Sequence, residues 1–492
     1  MNWLIKRIDA FLNSITMYRL LLYGLIIILA IATTFSFTGV LSTSGRGILE
    51  VTAVLVVVSY LANKLFGHLY HAATNTESFL ITALILACIL PPSTTLVRLG
   101  YVALTAVIAV ASKFVLSYKH RHIFNPAALA GVVMSVTGLM AVTWWIGSPP
   151  MLAFVAVLGL LITRKIHRFR LLMVFLVASV AMLVLQGQLG GIETRTLVQN
   201  AILSGPMIFL GTIMLTEPAT MPSRHYYQLL YGLLVGTLFT SQLKLGIFTT
   251  SPHMVLVLGN IFAFIVNPKF KANLRLKAKN QISAQVYDFV FTPDKSFDFT
   301  PGQYLEWTLP HTRVDGRGNR RSFTIASSPT EQEVHLGVKF YTPSSSFKKA
   351  LWYMKPGDVI AAGQLSGNFT LPTDLSKKLV FIAGGIGITP FRSMAKYLLD
   401  TKEQRDIVLF YVVSKAEELA YVDLFKASPS IKFVPIVDAR LTVDTLSTSA
   451  PDYHERTFYI SGPNGLVEAY RELLRHNGVP AMHIISDYFS GY

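Results

Sequence analysis

Residues 321–329 read RSFTIASSP, and this stretch decides how the second half of the chain is interpreted. Arg321 offers a forked guanidinium that suits phosphate oxygens. Phe323 adds an aromatic face and Thr324 a hydroxyl, and a Ser-Ser-Pro turn ends the run. The pattern predicts a compact polar strand that can hold a flavin ring and its phosphates.

Two patterns surround this strand. Residues 281–375 alternate short strands with turns such as FTPDKSFDFTPGQY and KPGDVIAAG, which predicts a small antiparallel β-barrel. Residues 376–492 alternate buried strands and helices, as in KLVFIAGG followed by TPFRSMAKYLLD. The second pattern predicts a parallel α/β nucleotide-binding domain.

The composition indicates a membrane protein: 52% of the 492 residues are hydrophobic and 14% are charged. Residues 1–280 carry 21 Lys and Arg against 5 Asp and Glu, whereas residues 281–492 carry 22 of each. The excess lies in short loops between apolar runs, where it sets topology. A nucleic-acid partner would instead require a basic folded face, so none is expected.

Ten apolar runs predict a transmembrane domain over residues 1–268. They lie at 18–38, 48–66, 78–91, 98–117, 125–145, 149–163, 171–187, 200–216, 227–243 and 252–267. A cytoplasmic N-terminus leaves 17 cationic residues inside and only four outside, namely Arg46, Arg98, Arg195 and Lys244. Everything after the last span is then cytoplasmic, beginning with a basic linker at 269–280 that can contact anionic lipid.

The membrane half contains two pairs of segments that are similar in sequence. ITALILACILPPS (81–93) resembles GTIMLTEPATMPS (211–223), and FNPAALAG (124–131) resembles TTSPHMVLVLG (249–259). Each pair lies five spans apart, which predicts two five-span halves of inverted topology. The repeat would bring Asn125, Glu217 and Thr220 together at the cytoplasmic face, where a helix N-terminus suits an anion or the carbonyls of a flavin.

Three metal cofactors are disfavoured. Cys88 is the only cysteine, so this chain alone cannot supply a Cys-based zinc site or an iron–sulfur cluster. Haem would require paired histidines within spans, but the histidines of the membrane half fall near span ends or in loops. We therefore expect no metal site.

A series of motifs in the second half resembles the ferredoxin–NADP reductase superfamily. In order they are PGQY, RSFTIASSP, SSSFKKAL, PGDVIAAGQLSGNFTLP, GGIGITPFRSM, SGPNGLVEAY and DYFSGY. The resemblance implies FAD and NAD(P)H, with Thr324 beside the reactive flavin nitrogen, Ser461 beside the nicotinamide and Phe489 or Tyr492 covering the flavin. The family usually has Cys at the position of Ser461. The implied cofactor-binding residues are Arg321, Ser322, Phe323, Thr324, Ser344, Ser345, Ser346, Phe347, Gly384, Gly385, Gly387, Thr389, Pro390, Gly462, Pro463 and Tyr492.

The membrane half has a resemblance of its own. ITALILACILPP, HRHIFNPAALAG and MLTEPATMP are similar to the D subunit of Rnf electron-transport complexes and the B subunit of the sodium-pumping NADH:quinone reductase. This implies ten spans, a prokaryotic cytoplasmic membrane and a flavin within the membrane. The outer loop QGQLGGIETRT lacks the Ser-rich attachment motif of the family. We therefore expect a noncovalent FMN or riboflavin at Asn125, Glu217 and Thr220.

Together these features predict a membrane flavoprotein oxidoreductase. It would oxidise cytoplasmic NAD(P)H through FAD and pass electrons through the membrane flavin to an extracytoplasmic acceptor, such as a flavinylated protein. A flavin suits this role because it converts two-electron into one-electron transfer. The alternatives are quinone reduction in the bilayer, a redox-driven cation pump and a non-catalytic flavin carrier.

Overall fold

The protein is described by a computed structural model. It describes residues 5, 7–9, 11–12, 15–70, 76–118, 121–191, 193–240, 244–245, 248–266, 271–315 and 318–489. The chain divides into two compact units, residues 1–270 and residues 271–492.

The first unit is helical, and its helices lie on the ten apolar runs of the sequence. They are α1 (Met17–Phe37), α2 (Gly45–Leu69), α3 (Thr76–Ile89), α4 (Leu96–Val115), α5 (Pro126–Val136), α6 (Pro149–Lys165), α7 (Phe169–Gly190), α8 (Thr194–Leu203), α9 (Met207–Phe209), which continues as a π-helix (Leu210–Met214), α10 (His225–Thr240) and α11 (Pro252–Val266). Two short hairpins separate some of them: β1 (Ser117–Tyr118) with β2 (Arg121–His122), and β3 (Lys244–Leu245) with β4 (Phe248–Thr249).

Four of the described helices are long and apolar enough to cross a membrane: α1, α2, α4 and α7. A helix needs about 20 residues to cross the hydrocarbon core. The segment from α8 through the π-helix is bent by 59°, and it would be a fifth span if counted as one broken helix. The other apolar helices are shorter than this length.

The fifth apolar run shows why some helices are short. α5 begins at Pro126 behind the N-cap Asn125, whose side chain accepts from the amide of Ala128, and it ends before Gly138 with a φ of 69°. The rest of the run folds back onto the end of α3. The amides of Thr143 and Trp144 donate to the carbonyl of Ile89 at 2.9 and 3.0 Å. These residues satisfy backbone carbonyls that a helix end leaves unpaired.

The same pattern of helix packing occurs twice in this unit. α2 packs against α4, α4 against α5 and α1 against α3. Five helices later, α7 packs against α10, α10 against α11 and α6 against α9 and the π-helix. Corresponding helices also meet, since α1 contacts α6 and α5 contacts α11.

The second unit begins with a curled antiparallel sheet of six strands in the order β8-β7-β10-β5-β6-β9. The strands are β5 (Lys271–Gln281), β6 (Val286–Pro293), β7 (Tyr304–Thr308), β8 (Arg320–Thr324), β9 (Val334–Lys339) and β10 (Val359–Ser366), and α12 (Ser346–Tyr353) precedes β10. Alternate residues of β5, including Leu274 and Leu276, are buried, whereas Asn273, Arg275 and Lys277 are exposed. The segment 271–280, which we expected within a basic linker, is therefore an inner strand of this sheet.

The chain continues into a parallel sheet of five strands in the order β13-β12-β11-β14-β15. Its elements are β11 (Leu379–Gly384), α13 (Thr389–Thr401), β12 (Ile407–Val413), α14 (Val422–Ala427), β13 (Ile431–Val437), α15 (Val443–Ser449), β14 (Thr457–Pro463), α16 (Asn464–His476) and β15 (Ile484–Phe489). Every residue of β11 is buried, as expected for a central parallel strand covered on both faces. The strand order reverses between β11 and β14, where α/β sheets bind ligands.

Candidate cofactor sites

Arg321 is held inside the antiparallel sheet domain by several contacts. Its Nη1 donates to the carbonyls of Gly318 at 2.9 Å and Arg320 at 2.7 Å, and its Nη2 lies 3.2 Å from Oδ1 of Asp315. The guanidinium also lies 5.4 Å from the ring centre of Phe347. The side chain is buried, so its forked cation has a fixed direction.

The N-terminus of α12 lies beside this arginine. Ser345 is the N-cap, and its hydroxyl accepts from the amide of Lys348. Phe347 lies two residues after this N-cap and is fully buried. The centre of its ring is 5.8 Å from that of Phe323. The predicted phosphate-binding residues of β8 and α12 are therefore neighbours. Ser344 donates its hydroxyl to the carbonyl of Tyr341, while the side chain of Ser322 is exposed.

The hydroxyls of Thr324 and Ser461 are the clearest sign of a ligand. Both are buried, and neither finds a hydrogen-bond partner within the part of the chain that the structure describes. A buried polar group without a hydrogen-bond partner costs about 1–3 kcal/mol of folding free energy. Such groups therefore usually have a partner, which can be a bound ligand. These two hydroxyls fit the groups that the sequence assigns to the flavin and the nicotinamide.

Two glycine-containing segments, the loop after β11 and the end of β14, meet where the strand order of the parallel sheet reverses. β11 ends at Gly384, and Gly385 has a φ of 51°. A β-carbon on Gly387 would lie 2.2 Å from the carbonyl oxygen of Ser461, and one on Gly462 would lie 3.2 Å from the backbone of Gly384. Only glycine permits this approach, which leaves a cradle of backbone open to a dinucleotide phosphate.

The helix after this loop starts as the sequence predicts. Thr389 and Pro390 open α13 and are buried, and the hydroxyl of Thr389 donates to the carbonyl of Ile386 at 3.2 Å. Pro463 lies at the end of β14, where its backbone pairs with Phe489 of β15. Phe489 thus lies beside the end of β14 in the sheet register. Tyr492 lies outside the described residues.

A buried ion pair joins the two sheets of the second unit, and the sequence analysis missed it. The guanidinium of Arg392 on α13 donates to both carboxylate oxygens of Glu331 and to the carbonyl of Ala326 at 3.0 Å. Burial acts to lower the pKa of Arg392, but the contact with Glu331 outweighs it and raises the pKa. The hydroxyl of Ser393 donates to the carbonyl of Ser327 at 2.6 Å. The SSP turn therefore holds the nucleotide-binding helix.

The three residues predicted to form a site in the helical unit are brought together. Nδ2 of Asn125 donates to Oε2 of Glu217 at 2.8 Å, and the hydroxyl of Thr220 donates to the same oxygen at 3.2 Å. Nε2 of His122 lies 3.9 Å from Oε1 of Glu217. A cavity lined by His122 and Thr220 adjoins this cluster.

Asn260 completes the cluster and was not predicted. Its Oδ1 accepts from the amide of Asn125 at 2.8 Å, and its Nδ2 donates to the carbonyl of Thr220 at 3.3 Å. It is fully buried in the middle of α11. A lone Asn inside the apolar run MVLVLGNIFAF was the signal that could have identified it, because such a residue must find partners within the membrane domain.

Comparison with known proteins agrees with the geometry of the second unit. Residues 273–370 match the oxidoreductase FAD-binding domain, and residues 381–472 match the oxidoreductase NAD-binding domain. The reductase component of propane 2-monooxygenase from Rhodococcus jostii is 29% identical over 215 residues, which are 39% of this chain and 56% of that protein. The flavohemoprotein of Candida albicans is 29% identical over 215 residues, covering 39% of this chain and 51% of that protein.

Solved structures also match this chain, at lower identity. The Amycolatopsis cytochrome P450 reductase aligns with 46% of this chain and 72% of its own, at 19% identity and a TM-score of 0.41. The chain spans little more than half the length of the two curated relatives. Both domain matches, residues 273–370 and 381–472, lie within the second unit. The second unit therefore carries an oxidoreductase FAD-binding domain followed by an oxidoreductase NAD-binding domain.

Proposed function

We propose that the chain is a membrane flavoprotein that oxidises NAD(P)H through FAD and transfers the electrons to its helical unit. The meeting of the β11 and β14 loops carries this proposal, because it forms a dinucleotide cradle beside the buried hydroxyl of Ser461. The FAD- and NAD-binding domain matches and the reductase relatives support the same reaction.

The residues of the second unit have distinct tasks in this reaction. Arg321 and the amides of α12 bind the FAD phosphates, and Thr324 directs its hydroxyl at the flavin ring. The glycine loop after β11 lets the backbone approach the phosphates of NAD(P)H, while Ser461 contacts the nicotinamide. Bound FAD supplies the step from hydride transfer to single-electron transfer. The Arg392–Glu331 pair fixes α13 against the sheet that carries Thr324.

A ten-span topology for the helical unit is supported by contacts between residues assigned to the cytoplasmic side. Nε of Arg19 donates to Glu77 at 2.8 Å, joining the starts of α1 and α3. Nζ of Lys113, near the end of α4, donates to the carbonyl of Ser78 at 2.9 Å. Arg19 is thus paired with a carboxylate and Lys113 with a backbone carbonyl. All four residues belong to the face that the positive-inside rule assigns to the cytoplasm. The short helices α5 and α11 pack against each other, and interrupted helices also meet at the repeat interface of transporter folds.

The duplicated helix packing supports the inverted five-span repeat. Under this repeat the α5 and α11 helices are equivalent, and each begins with proline at its first turn. The cluster of Asn125 has a counterpart at the other end of the pair. There, Nε2 of His253 lies 2.9 Å from the hydroxyl of Ser251 and 3.1 Å from that of Ser135.

The Asn125–Glu217–Thr220 cluster is our candidate for a second, noncovalent flavin. The carboxylate of Glu217, whose Oε1 lies 3.9 Å from Nε2 of His122, and the neighbouring cavity give the polar contacts that a flavin pyrimidine ring needs. A hydrocarbon core of about 30 Å is too thick for one efficient electron step, so an internal carrier is required. An extracytoplasmic acceptor follows from this route.

The number of flavins released from the purified full-length protein tests both parts. We expect two flavins per chain after denaturation, with one reduced directly by NAD(P)H. One flavin per chain would contradict the membrane site and leave only the reductase domains. Reduction of an added quinone without reduction of an outer acceptor would favour the quinone reductase alternative, and a cation gradient during turnover would favour pumping.

A further inference from the structure

Asp315 contacts both groups that the proposed flavin site offers to a phosphate. Its Oδ1 lies 3.2 Å from Nη2 of Arg321, and its Oδ2 accepts from the amide of Ser346 at 2.9 Å. Ser346 is the first residue of α12. One carboxylate thus bridges the forked cation and the helix N-terminus, which together form an anion-binding site.

Two further amides near the start of α12 are already committed to acceptors within the chain. The amide of Lys348 donates to the hydroxyl of Ser345 at 3.3 Å, and that of Lys349 to the carbonyl of Ser345 at 2.9 Å. A phosphate that takes the terminal amide of α12, that of Ser346, must therefore displace Asp315 from it. It must also take the Nη2 of Arg321, because Nη1 is committed to two backbone carbonyls.

We propose that Asp315 is an internal competitor of the FAD pyrophosphate and sets the affinity of this site for the cofactor. This inference rests on the proposed flavin site at Arg321 and α12. A carboxylate and a diphosphate are both anions, and they repel each other strongly when they share one cation at contact distance. Binding of FAD therefore requires that Asp315 leave Arg321 and Ser346.

The loop around Asp315 is built so that the carboxylate can leave. About 30% of the Asp315 side chain is exposed, so the released carboxylate enters water rather than an apolar interior. A separate contact keeps the loop attached, since the backbone amide of Asp315 donates to the hydroxyl of Ser346 at 3.0 Å. His311 also contacts that hydroxyl, with 2.9 Å between its Nε2 and the oxygen. Release of the side chain does not require release of the loop.

The test is the dissociation constant for FAD of the full-length protein in detergent, measured by flavin fluorescence after removal of bound flavin. Asp315→Asn keeps the shape of the side chain and removes its charge, and we expect it to bind FAD about tenfold more tightly. Asp315→Ala should have the same direction of effect. Inorganic pyrophosphate should compete with FAD more effectively in both variants.

Two controls isolate the mechanism. The first is Asp358→Asn, which removes a carboxylate that also accepts a hydrogen bond from a backbone amide, that of Lys355 at 2.8 Å. This change should leave the dissociation constant for FAD unchanged. In an Arg321→Ala background the effect of Asp315→Asn should become smaller, because the shared cation is gone and only the competition for the amide of Ser346 is left. Without flavin, Asp315→Asn should unfold at a lower temperature than the wild type, because it loses the contact with Arg321.

Equal or weaker FAD binding by the Asp315 variants would overturn this inference and show that Asp315 only positions Arg321. Failure of the wild type and of every variant to bind FAD would overturn the proposed flavin site itself. The two failures are thus distinguishable in one set of titrations.

Discussion

Gly387 and Ser461 approach so closely that a β-carbon on the glycine would lie 2.2 Å from the serine carbonyl oxygen. This contact joins the loop that follows β11 to the end of β14, and the order of the parallel sheet reverses between these two strands. The closeness of the two backbones forms the proposed nucleotide cradle.

Gly387→Ala should therefore damage both stability and nucleotide binding. The backbone oxygen cannot move aside as a flexible side chain could, so we expect a loss of about 1–3 kcal/mol of unfolding free energy. The Michaelis constant for NAD(P)H should rise. Gly465→Ala is the control, because a β-carbon there meets nothing within 4 Å and the residue lies in α16. Equal effects of the two changes would contradict the role given to the cradle.

Arg321→Ala should weaken FAD binding by about 1.5–3 kcal/mol, the usual contribution of a charge-assisted hydrogen bond. Thr324→Ala should cost less, because its hydroxyl is uncharged. Arg320→Ala is a matched control in the same strand, where the side chain lies 3.4 Å from Glu306. Titration of each flavin-free variant measures the difference. If Arg320→Ala changed the dissociation constant for FAD as strongly as Arg321→Ala, the phosphate contact assigned to Arg321 would be wrong.

Glu331→Ala should destabilise the second unit by about 3–5 kcal/mol, because it leaves the guanidinium of Arg392 buried without its carboxylate. Replacing both residues, as in Glu331→Leu with Arg392→Met, should cost less than the single change. Thermal unfolding of the three proteins gives the comparison. A double variant that is no more stable than Glu331→Ala would mean that the buried charge is not the cause.

A fragment of residues 271–492 should fold and bind FAD, whereas residues 282–492 should do neither. The physical reason is the position of β5, which pairs with β6 on one side and β10 on the other. Its removal would expose two strand edges and the buried face of the sheet. Circular dichroism and flavin content distinguish the fragments. Cooperative unfolding of the shorter fragment would show that β5 is dispensable.

The sequence was most informative where a motif depends on backbone geometry. Gly385 and Gly387 could be assigned because only glycine allows the loop after β11, and the pair Asn125 and Pro126 could be assigned because it is a strong helix start. The strand at 271–280 was predicted as a linker because its lysines dominate its composition. The burial of Leu274 and Leu276 shows the period of two that the charges concealed.

Contacts between distant segments could not be predicted in the same way. Asp315 lies 31 residues from Ser346, and Arg392 lies 61 residues from Glu331. Nothing in either local pattern specifies the partner, because the sheet register brings them together. The fifth apolar run, 125–145, was predicted as a single span. It ends as a helix at Val136 because the following residues cap α3, which is also a tertiary contact.

The central claim is that electrons from NAD(P)H cross the helical unit by way of the Asn125–Glu217–Thr220 cluster. The most direct measurement uses sealed vesicles that contain the full-length protein and enclose ferricyanide, with NADH added outside. Only molecules whose second unit faces outward can react, so bleaching of the enclosed ferricyanide reports transfer across the membrane. Asn125→Ser keeps a helix cap but removes the amide that donates to Glu217. We predict that the wild type bleaches the enclosed ferricyanide. The double variant Asn125→Ser with Thr220→Val should still oxidise NADH with an external acceptor, but it should not bleach the enclosed ferricyanide. Oxidation of NADH by the wild type with no bleaching inside, or equal bleaching by the double variant, would contradict the account.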